Sequence, residues 1–283
     1  MERGEYMSAK DITEKTLESY NDVFADIVNV LLFDGKKVIS PDDLEDKTTL
    51  SSYKADEKLK TQERDVAKLW KKGTIRLACI GVENQTQIDS YMPLRVISYD
   101  GAEYRMQYDS VEAKYPVFTF ILYFGDKKWK DEISLKDCLN IPEELKDLVN
   151  DYKVKVFSIS HLSSETVEKF TSDFKIVADY FVQQRTTKEY VPSPQIIAHV
   201  RETLELLSVM GGDERFITVY NENQQEKEGG YTMSSIALDN MIAKEQKRIA
   251  INLNNQGLSL AQIAAAINCQ IDVVKKWIDS SAV

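Results

Sequence analysis

Cysteine is scarce in this chain, and its three copies are scattered. Cys79, Cys138 and Cys269 lie far apart without a CxxC pair, so neither a zinc cluster nor a disulfide framework is supported. A reducing cytoplasm is the expected setting. Histidine is scarcer still. His161 and His199 are too distant in sequence to form a metal site by spacing, and both are read as core or surface residues. Long apolar runs are missing as well. The longest stretch, YPVFTFILYFG at 115–125, is too short to span a bilayer as a helix. Its aromatic and β-branched residues mark a buried strand, and no membrane partner is expected. The first twenty residues, MERGEYMSAKDITEKTLESY, are polar and lack the apolar core of a secretory signal; the protein is expected to stay where it is made. Positive charge is also in deficit. Lys and Arg number 36 against 46 Asp and Glu, a net charge of −10, which argues against a broad basic surface holding nucleic acid by charge alone. Lys68, Lys71, Lys72 and Arg76 flank one turn and form a local basic patch, or equally a set of solvated turn and strand-end charges.

What is present is a globular pattern of 43% hydrophobic and 29% charged residues, enough for one large domain and a smaller appendage. Apolar residues recur every three or four positions from 10 to 34, which predicts an amphipathic helix. Residues 36–60 are polar, with Pro41 and clustered Asp, Ser and Thr, and read as a loop. QERDVAKLW and TIRLACIGVENQT alternate around KKG and predict a hairpin. A helix crossing the sheet is expected from Met92 to Tyr104, interrupted at Gly101, with Asp89 as its N-cap. Further strands are expected at 115–125 and 152–159, and helices over 164–209 with a break at Pro192–Pro194. The class is α/β. Residues 10–210 make the main domain with a helical extension, 211–231 a linker or mobile loop, and 232–283 a C-terminal helical region. In that region Gly257 is a C-cap, and Ser259 with Gln262 a capping box. Its three helices are read first as a packing or oligomerisation appendage, with a helix-turn-helix resemblance as the weaker alternative.

The stretch IGVENQT, 80–86, delivers a carboxylate and an amide to the end of an apolar strand. Glu83 and Gln85 share a face because strand side chains alternate. If the hairpin strands pair, Asp65 joins Glu83 at one sheet edge, and two carboxylates there suit a hard cation such as magnesium. Such an ion lowers the pKa of a bound water and neutralises phosphate charge as a phosphodiester breaks. Gln85 is placed to orient that water. Solvent-facing acids at strand ends are the plainer reading of the same spacing.

RDVAKLW, IGVENQTQIDSYMPLRVISYDG, the upstream YNDVFADIVNVLLF and the downstream YPVFTFILYFGDKKW together resemble the Rpn-like recombination-promoting nucleases, also called PD-(D/E)XK nuclease family putative transposases. The resemblance spans roughly residues 15–160. It implies a restriction-endonuclease-like core, a central mixed sheet flanked by helices, and metal-dependent cleavage of DNA with Mg2+ or Mn2+. By that resemblance Asp65 and Glu83 are metal ligands and Gln85 stands where the wider superfamily has lysine. Asp22 is the acid of the first helix, with Asp26 one turn on as its alternative. Glutamine offers a dipole where lysine offers a charge, so activity is expected to lean on the metal and to be weak. Arg95, on the next helix, is placed to contact a phosphate or to pair with a sheet-end carboxylate.

The sequence therefore reads as a cytoplasmic Mg-dependent DNA endonuclease linked to recombination or mobile elements, with a C-terminal helical appendage. DNA is its partner, and double-strand cutting asks for a homodimer. The alternative is a non-catalytic nuclease fold serving as a DNA-binding or protein-interaction scaffold. Strand transfer is a third, weaker reading.

Overall fold

The structure is a computed structural model that describes residues 17–47, 50–55, 58–108, 110–188, 190–211, 216, 230–267 and 269–279. The chain divides into two compact units, one from Met1–Val191 with Ala198–Asp213, the other from Pro192–Ile197 with Glu214–Val283.

The larger unit is α/β. Its six-stranded mixed sheet has the order β1-β4-β5-β6-β8-β7, formed by Leu44–Asp46, Val66–Lys72, Ile75–Gln85, Val117–Tyr123, Lys153–Ser158 and Glu132–Ser134. Strand β5 is the hinge of the topology: antiparallel to β4 on one side, parallel to β6 on the other. The β4–β5 turn sits where KKG predicts it, with Gly73 at φ 61°, a left-handed conformation that favours glycine. Helices flank the sheet: α1 (Asn21–Phe33), α2 (Met92–Tyr108), α3 (Ser164–Lys169), α4 (Phe174–Thr186) and α5 (Val200–Gly211). This is the restriction-endonuclease-like arrangement expected from the resemblance.

Some elements differ from the sequence reading. The polar segment expected as a loop contains β1 and a separate hairpin, β2 (Leu50–Ala55) against β3 (Lys58–Glu63). Its Ser, Thr and Lys residues give no period-two apolar signal, so hairpin pairing leaves little trace in the pattern. Helix α2 runs unbroken through Gly101 to Tyr108. The first helix does not run unbroken from 10 to 34: among the described residues Leu17 and Glu18 are helical, Ser19 and Tyr20 are not, and Tyr20 has extended backbone at φ −72°, ψ 130° before α1 begins. Most of 211–231, read as a linker, lies outside the described residues.

The smaller unit contains α6 (Met233–Asn255), α7 (Leu260–Ala266) and α8 (Ile271–Asp279). Ala250, Ile263, Ala264, Ile267 and Val274 form its core. The Ser259–Gln262 capping box is present, and Gly257 at φ 86° ends the helix before it.

Helix α1 carries Val23, Phe24, Ile27 and Val28 into the core and ends through a polar clamp. Buried Asn29 accepts from the Val38 and Ile39 amides at 2.9 Å each and donates to the Ile39 carbonyl at 2.8 Å. Replacing it strands three backbone groups in a place water reaches poorly. Asn29→Ala is expected to destabilise the larger unit by on the order of 3 kcal/mol, read as a lower guanidinium midpoint by tryptophan fluorescence. An unchanged midpoint would mean that water takes over those bonds.

Candidate active site

The β4–β5 hairpin builds the site. Val66 faces Val82 across the ladder, so the register carried one step further sets Asp65 opposite Glu83. Asp65, just ahead of β4, accepts the Asn84 backbone N–H at 2.7 Å. Glu83 is fully buried. Its Oε2 accepts from Arg95 Nη2 at 3.2 Å, while its Oε1 has no hydrogen-bond donor among the described residues. Arg95, in the first turn of α2, also donates to Tyr99 Oη at 3.2 Å. The pair is lopsided, with Arg95 45% exposed and Glu83 0%. Burial, then the Asp65 carboxylate, pushes the Glu83 carboxyl well above the usual range, and Arg95 opposes them. The Tyr99 hydroxyl is pushed up to about 12, by burial and then by Glu83. Burial, the largest single influence, would lower Arg95, but the Glu83 carboxylate, Tyr99 and Asp65 together more than offset this and hold it up.

On the opposite face of β5, Asn84 reaches an acid that sequence reasoning missed. Glu18 is fully buried and accepts from Asn84 Nδ2 at 2.7 Å; its Oε1 and the Asn84 Oδ1 have no hydrogen-bond partner among the described residues. Burial drives its pKa up to about 8, against the Asn84 hydrogen bond and with a further push from Asp65. Asp22, the expected helix acid, is elsewhere. It is 51% exposed and lies 3.0 Å from His199 Nε2, whose ring stacks on Tyr20 at 3.8 Å. Asp26 accepts from the amides and hydroxyls of Thr171 and Ser172. The cause is the break at Ser19–Tyr20, which aims Glu18 at the sheet and leaves Asp22 outside. Glu18 is legible only once that break is known. Gln85 is half-buried at the strand's end, on the Glu83 face by alternation, and its carbonyl accepts the Phe124 amide at 2.8 Å.

Arg64, immediately before Asp65, is 5% exposed. Its Nη2 lies 3.6 Å from Asp100 Oδ1, and its guanidinium carbon 5.8 Å from the Tyr99 ring centroid. Gly81 makes room for it. A Cβ there would meet Thr119 Oγ1 at 2.5 Å and Arg64 Cδ and Nη1 at 2.6 Å, so the glycine of IGVENQT lets an arginine cross the sheet.

Most of these residues fall inside a stretch that a known family covers. A family model described as "Putative transposase, YhgA-like" matches residues 36–207, more than half of the chain. The chain belongs to this transposase family. No curated protein and no solved structure matches it. In this YhgA-like chain Asp65, Glu83, Gln85 and Arg95 lie within the matched residues, whereas Glu18, Asp22 and the α6–α8 unit lie outside them.

The basic patch is largely paired within the YhgA-like fold. Lys68 is buried among Asp46, Asn21 and the Ser19 carbonyl, Lys71 pairs with Glu45, and Arg76 with Glu112. A cavity of about 600 Å³ is lined by Leu31, Leu32, Phe157 and His161 and includes none of the candidate residues. Among the described residues no group of three His, Cys, Asp or Glu side chains is close enough to hold a metal ion, and no helix is long and apolar enough to cross a membrane. Two carboxylates still fit a hard cation such as Mg2+, which keeps several waters and commonly takes one or two protein carboxylates plus phosphate oxygens. The buried Glu83 Oε1 without a donor is the atom that fits it.

Gly81→Ala forces a Cβ into Arg64 and Thr119, and should lower stability by about 1–3 kcal/mol; the same variant on an Arg64→Ala background should cost less, a coupling that a double-mutant denaturation cycle measures. Glu18 titrates at about 8 folded against 4.5 as its ordinary value. The folded state therefore holds its proton longer, and stability falls as pH rises through that window. Glu18→Gln cannot ionise, so its stability relative to the parent should grow by up to about 1.4 kcal/mol per pH unit across the window. Denaturation in EDTA at a series of pH values tests this, and a pH-independent difference would refute it.

Proposed function

We propose that this transposase-family chain is a metal-dependent DNA endonuclease that hydrolyses phosphodiester bonds and is tied to mobile elements or recombination. The observation that carries the reading is the placing of Asp65, just ahead of β4, by the β4–β5 register opposite Glu83, with a buried Glu83 oxygen that has no donor among the described residues. Asp65 and Glu83 would hold Mg2+ or Mn2+. When bound, such an ion polarises the scissile phosphate and lowers the pKa of a water.

The chain's own residues do the rest. The Asn84 amide fixes Asp65 in place. Gln85, on the Glu83 face at the strand end, orients the attacking water, since its amide both donates and accepts. It lacks a lysine's charge, so turnover is slow. Arg95 offers a planar guanidinium that suits phosphate oxygens. Glu18 takes the supporting position expected of Asp22, acting through Asn84. Cutting both strands calls for two such sites and hence a homodimer.

The second reading, a nuclease fold that binds DNA or protein without cutting, is favoured by one observation. The described residues present two carboxylates rather than three, and one is already paired with Arg95.

Nicking of supercoiled plasmid separates the two. The purified protein should cut with Mg2+ or Mn2+ and not in EDTA. Asp65→Ala and Glu83→Gln, checked for folding by circular dichroism, should lose on the order of 100-fold or more in rate. Equal cutting by all three proteins would assign the activity to a contaminant and leave the scaffold reading in the lead.

A further inference from the structure

Arg95 holds one oxygen of Glu83 at 3.2 Å while the other has no donor among the described residues. A buried carboxylate in that state is incompletely compensated: the Arg64 charge and the Asp65 backbone also favour its ionised form, but removing the cation hydrogen-bonded to it would still leave an expensive charge. The two partners differ in what they can do next. Glu83 is rooted in the central strand and fully buried, whereas Arg95 is 45% exposed on the first turn of α2. Its second acceptor is Tyr99 Oη at 3.2 Å, one helical turn along. The guanidinium can therefore leave the carboxylate by rotating its own side chain, without moving strand or helix. A divalent cation and Arg95 are rivals for the same negative charge.

We infer that Arg95 is an exchangeable counter-ion: it neutralises Glu83 in the metal-free protein, gives up that carboxylate when a divalent cation arrives, and then turns its guanidinium to a phosphodiester. This rests on the proposed nuclease site and deepens it. Permanent charge toward the phosphate, which Gln85 does not supply, comes from a residue released by metal loading. Arg64 cannot take that part, because it is buried and held by Asp100 and Tyr99. The exchange makes a prediction of opposite signs. Arg95 should weaken metal binding and strengthen phosphodiester chemistry, whereas a residue that merely supports the site would help both.

Mn2+ binding to the full chain, followed by electron paramagnetic resonance at pH 8.5 to limit protonation of Glu83, is the decisive readout, with plasmid nicking measured beside it. Arg95→Ala should bind Mn2+ at least about fivefold more tightly than the parent while nicking at least about tenfold more slowly. Arg95→Lys, which keeps the charge, should bind Mn2+ close to the parent. Unchanged or weaker Mn2+ binding by Arg95→Ala, in a parent whose binding is lost in Glu83→Gln, would overturn the exchange and leave the metal site standing. A parent that binds no Mn2+ would remove both.

Discussion

A carboxylate taken out of water at the end of a central strand dictates much of what surrounds it. Glu83 is fully buried, and burial penalises the charged form heavily unless it is paired and hydrogen-bonded. Strand β5 cannot give way, because it is paired on both sides, to β4 and β6. Compensation therefore has to come from the elements packed over that face, and helix α2 brings it in its first two turns as Arg95 and Tyr99. Asp65, opposite Glu83, adds negative charge where there is already too much. Two neighbouring acids, one on a rigid strand and one just ahead of its partner strand, raise a cost that hydrophobic packing alone does not reduce, which is a pattern typical of functional sites.

Helix α2 also has a polar inner face. Asp100, Glu103 and Gln107 are all buried there, at spacings of three and four that put them on one helical stripe. Asp100 accepts from Thr119 at 2.7 Å and from Tyr152, and faces Arg64. Glu103 accepts from Tyr115 at 2.7 Å and pairs with Lys47 at 3.1 Å, and Gln107 accepts the Tyr115 amide at 2.9 Å. Directional contacts of this kind fix the helix at one register on the sheet, where an apolar stripe would tolerate sliding. That register is what sets Arg95 against Glu83.

How much of this was legible in the sequence depended on the range of the interaction that decides each feature. The β4–β5 hairpin was readable because its apolar alternation and its KKG turn are local, and with it came the juxtaposition of Asp65 and Glu83. Gln85 followed from strand alternation alone. The β2–β3 hairpin was not readable, since its residues carry no apolar rhythm. Glu18 was missed for a subtler reason. The apolar period from Leu17 to Leu32 reads as one helix, and nothing local announces the extended backbone at Tyr20. A continuous helix makes Asp22 the natural candidate, whereas the broken one presents Glu18 to the sheet and Asp22 to His199. Arg64 was passed over because the partners that bury it, Asp100, Tyr99 and the gap at Gly81, are remote in sequence. Arg95 was read with two open roles, and its ion pair with Glu83 is the one found here.

Burial also divides the work between the two arginines. Arg64 and Arg95 both lower the proton affinity of Glu83, but they do so from different positions. Arg64 is enclosed, pinned by an aspartate and an aromatic ring, and its space is guaranteed by the missing Cβ of Gly81. Its charge is a fixed part of the field in which the carboxylates sit. Arg95 has solvent on one side, and a well-hydrated alternative lowers the cost of leaving its partner. A strand-borne lysine at position 85 would combine both functions in one residue, permanently present and permanently aimed. With glutamine there, the proposed site would divide the standing field and the movable charge between separate residues, and of the two only the exposed Arg95 has room to respond to an incoming cation.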